Sequence, residues 1–200
     1  MDSLRNFWIP LVCKRLEVNL CIIHQESLCT KLLGFTDVMK NVVQCVNYIH
    51  AQGLNHWQFK AFLEELDLDY FDVVYFSAVR WLSRAAILKR FWNLRKEIGL
   101  FMVNKQQDVA YSNDADWLND IAFLTEITQQ LSDLNVKLQG KSQLVNKMFR
   151  HICSFEKKLQ LFQTELSRTA LTHLLRLADR KVEMLDLDCS KYAECWQVVC

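Results

Sequence analysis

Four glycines and one proline in 200 residues leave this chain few places to turn sharply. So few breakers argue against a loop-rich or hairpin-rich architecture and predict a helical chain with long elements. An excess of one charge is also lacking. Lys and Arg number 24 against 23 Asp and Glu, a formal charge of +1, so no global field steers the chain onto nucleic acid. No apolar run approaches the roughly 20 residues of a transmembrane helix, and no membrane partner is expected. Residues 1–15 carry acidic Asp2 and only a short apolar run at 7–13, and so do not read as a signal peptide. No basic cluster stands out as a nuclear address. There is no Ser-His-Asp order, phosphate loop or dinucleotide fingerprint, and no cofactor is expected.

What is present is apolar. Hydrophobic residues make up 51% of the chain, ample for a packed core and too many for disorder. The length suits one ordinary domain or one piece of a larger one. The eight cysteines, at 13, 21, 29, 45, 153, 189, 195 and 200, are scattered, and several fall on apolar positions of helical patterns. They read as free thiols of a reducing compartment, nucleus or cytoplasm.

Residues 72–98 organise the pattern. Residues 73–79 are β-branched, aromatic and small, the composition of a short strand. The period then changes: Ile87, Phe91, Leu94, Ile98 and Phe101 share one helical face. The corner between them is Arg80-Trp81-Leu82-Ser83, where Ser83 can cap the helix and Trp81 can fill the core.

Upstream, residues 16–23 suit a short strand and 24–33 a helix ended by Gly34. Thr36 is placed to cap a helix whose buried stripe is Val38, Val42, Cys45, Val46 and Ile49, and Gly53 to stop it. Asn55 and Gln58 form a capping-box pattern for a helix with Phe59, Phe62, Leu63 and Leu66 inward. Downstream, residues 104–113 read as a polar loop, and Asp114 or Asp116 as the cap of the next helix. Trp117, Leu124, Leu131 and Leu138 then recur every seven residues, joined by Ile127 and Leu134. After Gly140 and Ser142, a second stripe runs Val145, Met148, Ile152, Phe155, Leu159, Phe162, Leu166. Two such helices joined by a few residues predict an antiparallel hairpin. The second helix is expected to continue through Leu174 and Leu177 to about residue 186, followed by a loosely held tail.

Few residues point to chemistry. Cys21-x-x-His24 has half the ligands of a zinc site, and the other half would have to come from Cys13, Cys29, His50 or His56, none in a paired motif. The expectation is buried structural residues and no metal. Asp67, Asp69 and Asp72 read as a solvated turn. Arg80, Arg84, Lys89, Arg90, Arg95 and Lys96 cluster around the organising helix and read first as a solvated face. Within that group, Arg80 and Arg84 are the candidate DNA phosphate contacts.

Five blocks occur in a family-like order: Cys21-Ile-Ile-His24-Gln-Glu, Asn55-His-Trp-Gln-Phe59, Arg80-Trp-Leu-Ser83 with its flanks, residues 116–124 (DWLNDIAFL) and residues 134–140 (LNVKLQG). Together they resemble the hAT-superfamily transposases. More narrowly, they resemble the domesticated transposase region of the general transcription factor II-I repeat domain-containing type-two proteins and their BED-finger relatives. The resemblance runs from about residue 16 to residue 166. It implies that Cys21 and His24 lie near the ancestral active site, at the end of an RNase H-like strand, and that Arg80 and Trp81 lie beside the DNA end. The family's catalytic carboxylates do not match: Asp2 and Glu17, the acids preceding Cys21, stand in no suitable turn, and the family's final Glu falls beyond residue 200.

The expected fold is mainly α, the helical insertion of an hAT transposase with a remnant edge of an RNase H-like α/β core. Residues 1–15 would be a divergent segment, 16–82 the remnant edge, 83–186 the helical insertion with its hairpin, and 187–200 a divergent tail. The implied function is a truncated, non-catalytic nuclear protein engaged in protein interaction or weak DNA association, with self-association through uncovered apolar surface. The other readings are an active transposase fragment completed by another chain, and a gene product with no selected function.

Overall fold

The structure, a computed structural model, describes residues 35–51, 53–66, 72–73, 81–139, 144–184 and 187–193; at 81–83 and 145 it describes the backbone alone. The described residues form helices, turns and irregular segments, with no strand among them. The strand expected at 16–23 lies outside them, as does that at 73–79 apart from Val73, which is irregular and buried. Helix α1 is Thr36–Ala51, α2 Gly53–Glu65, α3 Trp81–Asn93, α4 Arg95–Asn104, α5 Ala115–Leu138, α6 Val145–Arg168 and α7 Leu175–Glu183; a 3₁₀ turn, Ala110–Asn113, precedes α5. The chain divides into two compact units, one of residues 35–132 and one of 1–34 with 133–200, so the division falls within α5.

In the unit of residues 35–132, α1 buries the five residues its spacing predicts, Val38, Val42, Cys45, Val46 and Ile49. Helical bonding starts one residue before the expected cap, since the Met39 N–H donates to Phe35 O at 3.2 Å. In α2, Phe59 and Leu63 are buried as expected, but Phe62 is half-buried and Leu66 is 45% exposed. Leu66 falls just past the helix end, where the apolar stripe no longer governs direction. Asn55 is not the predicted cap of α2. It is buried inside that helix and its Nδ2 donates to Tyr48 O, in the last turn of α1, at 3.4 Å.

The organising stripe is confirmed by burial: Ile87, Phe91, Leu94, Ile98 and Phe101 all lie in the core. One helix was expected over that stripe, and two occur. They meet at Leu94, whose N–H donates to Arg90 O at 3.0 Å and whose carbonyl accepts from Ile98 N–H at 2.8 Å, so hydrogen bonding continues through the break. The Arg95 guanidinium lies 4.2 Å over the Trp92 ring and donates to Trp92 O at 2.9 Å. Because α3 is already helical at Trp81, Ser83 lies inside the helix and is not its cap.

Asp114 caps α5, accepting from Asp116 N–H at 3.0 Å. All six heptad residues of α5 are buried, and residues 121–128 are buried on every face, including Thr125, Glu126 and Thr128. The two threonine hydroxyls donate back to carbonyls one turn earlier, Ile121 O at 2.6 Å and Leu124 O at 2.8 Å. Aromatic contacts tie neighbouring elements to this helix: Phe35 to Phe123 at 5.8 Å, Phe91 to Trp117 at 6.1 Å and Tyr111 to Trp117 at 4.8 Å. Phe59 meets Phe101 edge-on at 5.0 Å, joining α2 to α4.

In the unit containing residues 133–200, Leu159, Phe162 and Leu166 of α6 are buried, whereas Met148, Ile152 and Phe155 are half-buried. Both helices of the expected hairpin exist; their connection, residues 140–143, lies outside the described residues. The prediction of one long helix to residue 186 is corrected. Thr169 takes φ 52°, its N–H bonds Leu166 O, and the Ala170 N–H bonds Glu165 O, the paired bonds of a Schellman stop. Lys181 Nζ donates to Thr169 O at 2.6 Å, fastening α7 to that stop. The buried Glu165 carboxylate accepts from the His173 N–H at 3.0 Å and also bonds the His173 ring. The tail is packed where it is described: Leu187, Cys189 and Tyr192 are buried, because their apolar side chains find core that the expectation of a loose end overlooked.

Candidate functional site

The corner between α1 and α2 gathers the strongest cluster of reactive side chains among the described residues. The inward stripe of α1 ends at Ile49, which sets the next residue, His50, on the rim of the core, half-buried. One residue, 52, separates the two helices, so His56 in the first turns of α2 returns to the same corner. Their rings lie 4.6 Å apart between centroids, tilted by 49°. The Asn55 bond to Tyr48 O holds this corner closed.

Asp72 and Val73 complete the arrangement. His56 Nε2 lies 2.9 Å from Asp72 Oδ1 and 2.8 Å from Oδ2. Asp72 Oδ1 also accepts from the Val73 N–H at 2.8 Å, and His50 Nε2 lies 3.2 Å from Val73 O. Arg90 of α3 donates to the Asp72 carbonyl at 3.0 Å. One donor atom from each of His50, His56 and Asp72 lies within 4.8 Å of the others. The side chains of His56 and Asp72 are 32% and 34% exposed, so solvent reaches the cluster while the backbone bonds fix it. A carboxylate that orients an imidazole can pass a proton or hold a cation.

A second constellation is chemically quiet. Cys45 Sγ and the Tyr111 hydroxyl are hydrogen-bonded beside Trp117. Burial pushes the Cys45 thiol up, against a smaller opposing effect of Tyr111. Burial, then the bond to Cys45, pushes the Tyr111 phenol far above its usual value. A thiol held protonated is a poor nucleophile.

The residues singled out from the sequence fare unevenly. Cys21, His24, Arg80, Asp67 and Asp69 lie outside the described residues, and Trp81 is described only as the backbone that opens α3. Arg84 is half-buried, and burial lowers the pKa of its guanidinium. Arg90 and Arg95 are engaged within the fold, whereas Lys89 and Lys96 are exposed. The reading of Asp72 as a solvated turn residue is corrected by its bonds to His56 and Val73 N–H. Sequence reasoning considered His50 and His56 only as partners for Cys21-x-x-His24. The signal it lacked was the helix-to-helix corner at Gly53, which turns a spacing of six residues into one ring-to-ring contact.

The model of a family described as the FAM200/GTF2IRD2 helical domain matches residues 20–167. General transcription factor II-I repeat domain-containing protein 2 of Bos taurus is 41% identical over 167 residues, covering 82% of this chain and 18% of the relative. The protein of the same name from Mus musculus is 42% identical over 153 residues, covering 76% of this chain and 16% of the relative. The chain thus spans less than a fifth of the length of these curated relatives. No solved structure matches.

Proposed function

Because the chain belongs to the FAM200/GTF2IRD2 helical-domain family, we propose that it is a domesticated hAT transposase derivative acting without catalysis, as a nuclear interaction protein that associates weakly with DNA. The observation that carries this reading is the match over residues 20–167 to a domain described as helical. The five ordered sequence blocks support the hAT ancestry, and the relatives' name, with its general transcription factor II-I repeats, supports a nuclear setting. Two-metal phosphoryl chemistry needs several carboxylates converging on a pair of ions. Among the described residues, the group of three metal-capable side chains holds a single carboxylate. Weak DNA association is what a formal charge of +1 allows, with Lys89 of α3 and Lys96 of α4 exposed. Among the described residues, no helix is long and apolar enough to cross a membrane.

The test uses the 200-residue chain and a duplex carrying hAT-type terminal repeats, with Mg²⁺ or Mn²⁺. The expected result is no nicking and a weak, salt-sensitive binding that Lys89→Ala with Lys96→Ala reduces without changing sequence preference. Metal-dependent nicking would overturn the non-catalytic reading. Loss of all binding at low salt would remove DNA and leave protein interaction.

A further inference from the structure

We propose that His50, His56 and Asp72 form a binding site for one divalent transition-metal ion of the zinc class, stapling the α1–α2 corner to the segment that enters α3. Three features carry this. The first is convergence: one donor atom from each side chain already lies within 4.8 Å of the others, although the residues come from three separate parts of the chain. The second is donor type. Two imidazoles and a carboxylate are the ligand set of zinc and its neighbours, too rich in nitrogen for magnesium or calcium and without the thiolate that softer ions select. The third is support behind the donors. The Asp72 carboxylate is held by the Val73 N–H, the Asp72 carbonyl by Arg90, and His50 Nε2 lies on Val73 O, the kind of backbone contact that fixes a metal-binding imidazole.

The fit requires only a small contraction. Ligand atoms about 2.0–2.2 Å from a tetrahedral ion stand roughly 3.4 Å from one another. His56 Nε2 and the Asp72 oxygens, at 2.8–2.9 Å, must open slightly, while a separation as wide as 4.8 Å must close by about 1.4 Å, within reach of side-chain rotation. The proton that His56 shares with Asp72 moves to the other nitrogen of the ring when Nε2 takes the ion. The two imidazoles stay neutral, so a dication against one carboxylate leaves a net single positive charge. Three protein ligands leave a fourth position for water or a partner's donor, on the side where His56 and Asp72 are about one-third exposed. This site is distinct from the carboxylate set of transposition, and it does not depend on the DNA association proposed above.

The eight cysteines make a naive zinc titration ambiguous, so the probe is cobalt(II), with zinc as competitor, added to the metal-free full chain under reducing conditions. The expected result is one equivalent bound, with ligand-field absorption but no thiolate-to-cobalt charge-transfer band, and displacement by zinc. His56→Gln and Asp72→Asn should each weaken binding at least about tenfold. Zinc should raise the melting temperature of the parent chain but not of these variants. Asp72→Asn keeps an acceptor for the Val73 N–H, and far-UV circular dichroism establishes that both variants are folded. Absence of stoichiometric binding, a charge-transfer band from sulfur, or an affinity unchanged in the folded variants would each overturn the proposal and leave the cluster a hydrogen-bonded clasp.

Discussion

Cys45 and Tyr111 show what burial does to two groups that would be reactive in water. Both hold their protons more tightly in the folded chain, mainly because a thiolate or phenolate would be stripped of solvent. Cys189 is raised for the same first reason, with Asp188 adding to it. The consequence for stability has a definite sign. Below pH 9.0, the ordinary value of the thiols, folded and unfolded chains both keep these protons and nothing is lost. Above it the unfolded chain releases them first, so stability falls as pH rises towards the folded values, by up to about 1.4 kcal/mol per pH unit for each group in its window. Urea unfolding followed from pH 8 to about 10.5 should show this decline. Cys45→Ala or Tyr111→Phe should lower stability at neutral pH yet give a shallower alkaline slope; an unchanged slope would mean that these groups are not the titrating ones. The stripe spacing marked Cys45 as buried, but its phenolic partner sits 66 residues away and no local pattern could name it.

At the scale of the helices, two positions carry backbone tension of opposite kinds. Gly99 lies within α4 at a place where an added Cβ would meet only Ser112 Oγ, at 3.9 Å, an ordinary contact. Gly99→Ala should therefore stabilise the protein by about 0.5–1 kcal/mol, because glycine loses more backbone freedom on folding. Thr169 is the reverse case, a β-branched residue in the left-handed region at the stop of α6. Thr169→Gly should gain about 1 kcal/mol by removing the strain of its Cβ. Chemical denaturation at one pH measures both; a loss at either site would show that the side chain there makes a contact outweighing the backbone term. Periodicity alone found the buried faces of α1, α3 and α4, and all six heptad residues of α5. It did not find the break at Leu94 or the stop at Thr169, because neither carries glycine or proline and the apolar spacing runs across both. The candidate site was still harder to read: His50, His56 and Asp72 meet only because α1 and α2 turn back at Gly53 and Asp72 is drawn onto that corner.

For the molecule as a whole, the heptad in α5 understated the position of that helix. A seven-residue repeat implies one buried seam, yet residues 121–128 are enclosed on all sides, with Thr125 and Thr128 bonding their own helix so that their hydroxyls can be enclosed too. The resemblance from about residue 16 to 166 coincides with the span of the family match, 20–167. A segment without a solvent-facing side has no cheap way to open. Its amide hydrogens can meet deuterium only when the surrounding helices come away, whereas those of α2, with Leu54 and Trp57 more than 60% exposed, can exchange through local fraying. Native-state exchange followed by mass spectrometry should therefore find the slowest amides at 121–128, with opening energies that track the global unfolding energy as denaturant is added. If those amides exchanged as fast as those of α2, the enclosure would be a passing arrangement and α5 would not be the element that holds this part of the protein in one cooperative piece.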